Sequence, residues 1–301
     1  MCGSGIDIPY SAMLHRVAKK PTIAIIGPGN LGTALAVSLR RAGYDIEVAA
    51  SRSRSASLKR AKALAREVGA RTQGGLQNVK ATVLWFCVPD SQIAAVSSKY
   101  AKDLNAAKGS IALHSSGALS SEELESLRKK GASVASVHPL MTFVRGSRPS
   151  LAAVPFALEG DALALRTARR IVNDLDGQAF AIRKEDKAAY HAWGAFASPL
   201  LTSLLRASER VAKLAGVDGK SARRRMIPIL LQTLANYASF GAAGAFSGPI
   251  VRGDVETVRK HLKVLRQVPA AHDSYMVLAR AALQYLPARN KSALTKLLAG
   301  D

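Results

Sequence analysis

The first regular pattern in the chain is Thr22–Ile26 (TIAII), a branched apolar run that ends in glycine, as buried parallel strands do. Leu31, Leu35 and Leu39 then recur every four residues up to Arg41, and Gly43 follows as a stop signal. Ile46–Ala50 reads as a second strand and Leu58–Val68 as a basic amphipathic helix. The alternation continues through strand Thr82–Val88, helix Ser91–Leu104, strand Ile111–His114 and helix Ser121–Lys130. Strands Val134–Val137 and Val154–Leu158, helix Asp161–Leu175 and strand Ala179–Ile182 complete it. Strands alternating with helices of this length predict an α/β, doubly wound, mostly parallel sheet. From Glu185 onward only helical periodicity remains. The expected organisation is a loose arm over 1–20, a sheet domain over 21–183 and an all-helical domain of five or so helices over 184–301.

The turn after the first strand is Gly27-Pro28-Gly29-Asn30-Leu31-Gly32, a GxGxxG. The first glycine permits the tight turn, the second lets backbone approach a pyrophosphate, and the third lets the helix pack on the strand. The helix N-terminus adds amide donors and partial positive charge. Alone the motif is weak. Here it follows a strand and opens a helix, so Gly27, Gly29, Asn30, Leu31 and Gly32 are expected to bind a dinucleotide. The end of the second strand chooses between cofactors. An acidic residue there would hydrogen-bond the ribose hydroxyls of NAD. This chain has Ser51-Arg52-Ser53, whose guanidinium and hydroxyls suit a 2′-phosphate, and NADP is the expected cofactor. Val88 and Pro89 should form a wall of the same cleft, with Asp90 either capping the next helix or reaching the ligand.

Two more strand ends carry polar groups: His114-Ser115-Ser116-Gly117, and His138 followed by Pro139. Both are expected at the carboxyl edge of the sheet, where a histidine can act as acid or base. Lys187 and His191, four residues apart with Tyr190 beside them, share one helix face. The expected catalytic set is His138, Lys187, His191 and Ser116, converging on one pocket. Farther on, Asp254 should cap the helix at Val255–Leu265, and Arg252 is a candidate for a substrate carboxylate. The histidines lack metal-ligand spacing, so no metal is expected.

Composition refines this picture. Aromatics make up 5% of the chain, while alanine and leucine abound, which suits close helix packing. Cys2 and Cys87 form no disulfide framework, and residues 1–20 lack an apolar signal core, so a reducing cytoplasm is expected. Met226 to Val251 carries no charge, but prolines, glycines and amides interrupt it. It reads as a buried or interface helix and loop, with no membrane insertion. A surface this apolar predicts a homodimer through the helical domain. The net charge of +22 fits a basic surface together with a phosphorylated cofactor or carboxylate substrate. Nucleic acid is the weaker reading, since no zinc-finger or RNA-binding signature is present.

GPGNLG at Gly27–Gly32, SSGAL at Ser115–Leu119, HPLMTF at His138–Phe143, FALEGD at Phe156–Asp161, KAAYHAWGAFAS at Lys187–Ser198 and SGPIVRGDVETVRKHL at Ser247–Leu262 carry a resemblance. From about Pro21 to its end the chain resembles bacterial proteins that join a Rossmann-like NADP-binding domain to a C-terminal helical domain of unknown function. These are similar to pyrroline-5-carboxylate reductase, ketopantoate reductase and 6-phosphogluconate dehydrogenase, whose C-terminal domain is likewise helical. The His-Pro motif and preceding serine also look like those of prephenate and arogenate dehydrogenases, which implies substrate-facing roles for His138 and for Ser115 or Ser116. Lys187 and His191 resemble a Lys-x-x-x-Asn pair, with His in place of Asn. Ser198-Pro199 departs from the family's Ser-Asn and lacks its amide. The resemblance implies an NADP-dependent oxidoreductase acting on a small carboxylate-bearing carbonyl, imine or hydroxy compound. The alternatives are a non-catalytic NADP-binding sensor or scaffold, or a nucleic-acid-binding protein.

Overall fold

The computed structural model describes residues 20–49, 56–73, 79, 81–102 and 108–300. The expected arm before Lys20, and Ser51, Arg52 and Ser53, the residues expected to select the cofactor, lie outside the described residues. The chain divides into two compact units, residues 1–194 and 195–301.

The first unit is built on eight strands: β1 (Ile23–Ile26), β2 (Ile46–Ala49), β3 (Arg71–Gln73), β4 (Val83–Phe86), β5 (Ile111–His114), β6 (Ser133–Pro139), β7 (Pro155–Gly160) and β8 (Gln178–Ala181). They form one sheet in the order β3-β2-β1-β4-β5-β6-β7-β8. The chain moves outward from β1 to β2 and β3, then returns to β4 on the other side of β1. That reversal places a crevice at the carboxyl ends of β1 and β4, where ligands of open α/β sheets bind. Five helices accompany the sheet: α1 (Asn30–Arg41), α2 (Ala56–Val68), α3 (Ile93–Ala101), the short α4 (Glu125–Arg128) and α5 (Ala162–Asp174). Strands β1 and β4 are buried at every position, which is why their sequences are continuous apolar runs rather than alternations.

Two features depart from the expected pattern. β3 (RTQ) is a polar three-residue edge strand with no apolar run to announce it. The pair β6–β7 is antiparallel, with His138 opposite Ala157, whereas the other strand pairs are parallel. Helix α6 (Lys187–Ala195) follows β8, and Lys187 to Gly194 count with this unit.

The second unit is helical among its described residues: a π-helical turn at Phe196–Leu200, then α7 (Leu201–Leu214), α8 (Gly219–Ala245), α9 (Pro249–Arg252), α10 (Val255–Leu265), α11 (Pro269–Tyr285) and α12 (Lys291–Ala299). The π turn contains Pro199, which has no N–H to give to a regular helical ladder. Val258, Leu262, Ala279, Leu294 and Leu298 form a small core. Buried Glu209 accepts from Arg206 and Arg223. Asp254 caps α10 as expected, accepting from the Thr257 amide at 3.0 Å. Helix α8 is not buried in the single chain: Ile229, Leu231, Leu234, Tyr237 and Phe240 are all exposed, Phe240 at 68%. No helix among the described residues is long and apolar enough to cross a membrane.

Candidate active site

The turn after β1 has the geometry a dinucleotide needs. Gly27 has φ +107°, and a Cβ there would stand 2.6 Å from the Cys87 carbonyl oxygen. A Cβ on Gly32 would stand 2.2 Å from the Gly27 carbonyl oxygen, so only glycine lets α1 start this close to the turn. Helix α1 has Gly29 at its N-cap and no side-chain cap, and its first N–H to C=O bond runs from Thr33 to Gly29. The amides of Asn30, Leu31 and Gly32 therefore precede the helical ladder and suit a pyrophosphate. A cleft of about 370 Å³ opens here, lined by Gly27, Gly29, Val88 and Pro89 of the expected set, by Pro28, and by Ser57 and Arg60 from α2. Arg60 is a cationic neighbour on α2, whose sequence reads only as a basic amphipathic helix. The Asn30 side chain is already engaged, donating to the Phe143 carbonyl at 3.1 Å. Its amide thereby ties the cofactor turn to the loop that follows His138.

Asp90 corrects one expectation. It opens a 3-10 turn but makes no capping bond; its carboxylate accepts from the Ser116 hydroxyl at 2.7 Å. The strand end at β5 is thus tied to the wall of the cofactor cleft. Each residue of that strand end is committed. His114 is fully buried; its Nδ1 accepts from the Ser116 amide at 3.1 Å and its Nε2 lies 2.9 Å from the Ser120 carbonyl. Burial holds it neutral, with its pKa down to about 4. His114 therefore braces the turn. The Ser115 hydroxyl accepts from the Trp85 indole at 2.8 Å, which leaves Ser116 as the serine beside the polar cluster.

Lys187, His138 and His191 do converge around Ser116 and Gly117. Lys187 is 1% exposed, and its ammonium donates to the Ser116 carbonyl at 3.1 Å and to the Ser136 hydroxyl at 2.7 Å. Burial lowers its pKa, with Glu159 and Asp90 opposing. His138 Nδ1 lies 2.8 Å from the Tyr190 hydroxyl, and its ring meets His191 edge-on at 6.1 Å between centroids. Burial first, then the Lys187 and His191 charges, push the His138 pKa down to about 4. Gly117 makes the meeting possible: a Cβ there would stand 2.6 Å from His191 Cδ2 and 2.9 Å from His138 Nε2. Tyr190, noted in sequence only as a neighbour, is the direct partner of His138. Met141 and Trp193, both exposed, add apolar surface in the segments bearing these residues. Arg252 and His261 belong to the second unit. There His261 meets the Tyr275 hydroxyl at 3.2 Å, beside an open apolar cleft of about 630 Å³ walled by α7, α10 and α11.

A doubly wound sheet with a glycine turn at its reversal point, followed by a helical unit, defines the class of two-domain proteins built on a dinucleotide-binding fold. Residues 11–139 match the model of the Rossmann-like domain and residues 154–282 that of the domain of unknown function DUF2520, so the chain carries a match to each, in that order. No curated protein sequence matches it significantly. Among solved structures, a Bacteroides fragilis protein provisionally described as an NADP oxidoreductase is similar, with 21% identity and TM-score 0.72 over 87% of this chain and 97% of that one. A Thermotoga maritima protein shares 25% identity with TM-score 0.66, covering 86% and 96%. An imine reductase from Myxococcus stipitatus in complex with NADP+ shares 16% identity with TM-score 0.63, covering 88% and 94%.

Proposed function

We propose that the chain is an NADP-dependent oxidoreductase that moves a hydride to or from a small carboxylate-bearing carbonyl, imine or hydroxy compound. The observation that carries the reading is the Asp90–Ser116 hydrogen bond. It joins the wall of a glycine-lined cofactor cleft to a cluster of three titratable side chains, so two sites of different chemistry share one sheet edge. The NADP complex of a protein with the same fold supports the choice of cofactor. NADP bound there supplies the hydride acceptor, or NADPH the donor. The α1 amides hold the pyrophosphate, and Arg60 together with Arg52 meets the 2′-phosphate. His138, His191 and Ser116 face the substrate. Lys187 acts from beneath, fixing the Ser116 carbonyl and adding positive charge under the reacting group.

Titration by NADPH fluorescence, followed by oxidation assays against a panel of keto acids, cyclic imines and hydroxy acids, tests the reading. Absence of NADPH binding overturns it. NADPH binding without turnover of any compound favours a sensor or scaffold instead. With a substrate in hand, His138→Ala should abolish turnover while NADPH affinity stays within about 1 kcal/mol of wild type.

We further propose that the functional form is a homodimer. The exposed apolar side chains of α8 support it, since monomers rarely leave so continuous an apolar stretch in water.

A further inference from the structure

The two nitrogens of His138 face different surroundings. Nδ1 lies 2.8 Å from the Tyr190 hydroxyl, with the two rings edge-on at 88°. Nε2 lies on the other side of the ring, toward Gly117, whose lack of a side chain lets the His138 and His191 rings approach it. Tyr190 is 6% exposed, and among the described residues its hydroxyl has His138 as its hydrogen-bond partner. A buried phenol proton needs an acceptor. Nδ1 accepts it only when that nitrogen carries the lone pair, so the ring proton sits on Nε2. The opposite tautomer would aim Nδ1–H at the phenol oxygen and leave the phenol proton unpaired. That loss is enough to bias the tautomers by about tenfold or more.

We propose that Tyr190 is a positioning residue that fixes His138 as the Nε2–H tautomer, so that the site meets its substrate with a neutral hydrogen-bond donor and takes an oxygen acceptor, carbonyl or carboxylate, at that point. The substrate half rests on the hydride-transfer reading above; the tautomer does not. The surrounding charges agree with a neutral ring. Lys187 and His191 on α6, and His114 at the end of β5, all disfavour a proton on His138, and only Asp90 opposes them. The Tyr190 phenol is pushed up to about 12 by burial, so it keeps its proton to give. A neutral imidazole polarises a carbonyl through its N–H without transferring net charge. A protonated iminium nitrogen would meet this donor with a donor of its own, and the site would repel it at that contact.

Long-range proton–nitrogen NMR on protein labelled at its six histidines reads the tautomer directly, with His138 assigned by the signals lost in His138→Gln. The expected result is a neutral Nε2–H pattern that does not titrate between mildly acidic and neutral pH, becoming a mixture of tautomers in Tyr190→Phe. An Nδ1–H pattern in wild type, a protonated ring at neutral pH, or an unchanged tautomer in Tyr190→Phe overturns the positioning role. If the variant does not fold, a coupling across the hydrogen bond from the Tyr190 hydroxyl proton to His138 Nδ1 in wild type decides it, and its absence overturns the positioning role. With NADP+ present, acetate should move the His138 Nε2 proton signal and methylammonium should not. No movement with acetate, or movement with methylammonium, overturns the acceptor assignment. NADPH titration of the same sample reads the cofactor separately, so loss of the oxidoreductase reading is distinguishable from failure of this one.

Discussion

His114 should make the first unit acid-sensitive, and the size of the effect follows from its contacts. Its Nδ1 accepts from the Ser116 amide and its Nε2 faces the Ser120 carbonyl. Protonation would set a second N–H against the Ser116 amide inside a fully buried pocket. The folded-state pKa of about 4 lies below the ordinary histidine value of about 6.5. Between those two values the unfolded chain binds more protons than the folded one, so stability falls as the pH falls through that window. The loss from this residue is about 2 kcal/mol between about pH 7 and about pH 5, and approaches about 3 kcal/mol below about pH 4. Trp85 and Trp193 both lie in the first unit, so tryptophan fluorescence during urea unfolding reports that unit. His114→Gln keeps one donor and one acceptor but cannot titrate. Its free energy of unfolding should therefore drop by about 2 kcal/mol less than wild type between the two pH values. Subtracting the variant cancels the contributions of histidines that are not coupled to His114, while His138, which is, adds a smaller residual. Parallel pH dependences in the two proteins would refute the assignment of His114 as a neutral brace.

The other predictions concern the cofactor and the assembly. NADPH should bind at least about tenfold more tightly than NADH, a difference of about 1.4 kcal/mol. Arg60→Ala should narrow that ratio, and an unchanged ratio by fluorescence titration removes Arg60 from the phosphate site. Gly32→Ala places a methyl 2.2 Å from the Gly27 carbonyl oxygen, so it should cost about 1–3 kcal/mol of stability and weaken NADPH binding; a wild-type melting temperature together with wild-type affinity would contradict this. Light scattering should give twice the 31.8 kDa chain mass, and Leu231→Glu with Leu234→Glu should give the single-chain mass; a wild-type monomer at micromolar concentration ends the dimer proposal.

Most of the sheet was legible because its central strands are buried on both faces, and that burial writes itself locally as TIAII or VLWF. The glycine turn was legible for a similar reason: its determinants, φ at Gly27 and close approach at Gly32, lie within six consecutive residues. β3 was not legible, since an edge strand needs only backbone pairing and RTQ shows no apolar period. The antiparallel β7 had a readable sign, the absence of any helix between Pro139 and Pro155, because a parallel crossover needs room for one. The site was half legible. Strand ends announced His138 and Ser116, and helical spacing joined Lys187 to His191. Asp90 followed the local capping rule in sequence, yet its partner stands 26 residues away at Ser116. The bond between His138 and Tyr190 spans 52 residues, and no local pattern encodes it.

The segment Ser115-Ser116-Gly117 bears on how such a protein can change its substrate. Ser115 holds a core indole, Ser116 is bonded through hydroxyl, amide and carbonyl within its own turn and to Asp90, Ser136 and Lys187, and Gly117 gives way to two imidazoles. A single exchange there alters the sheet core, the buried lysine or both rings at once, so this tripeptide is a poor place for gradual adaptation. Met141, Val144 and Trp193 are exposed in the segments that carry His138 and His191 and hold none of those bonds. Variation in specificity should therefore accumulate at these apolar positions, leaving the tripeptide as the fixed frame around which a library of variants can be built.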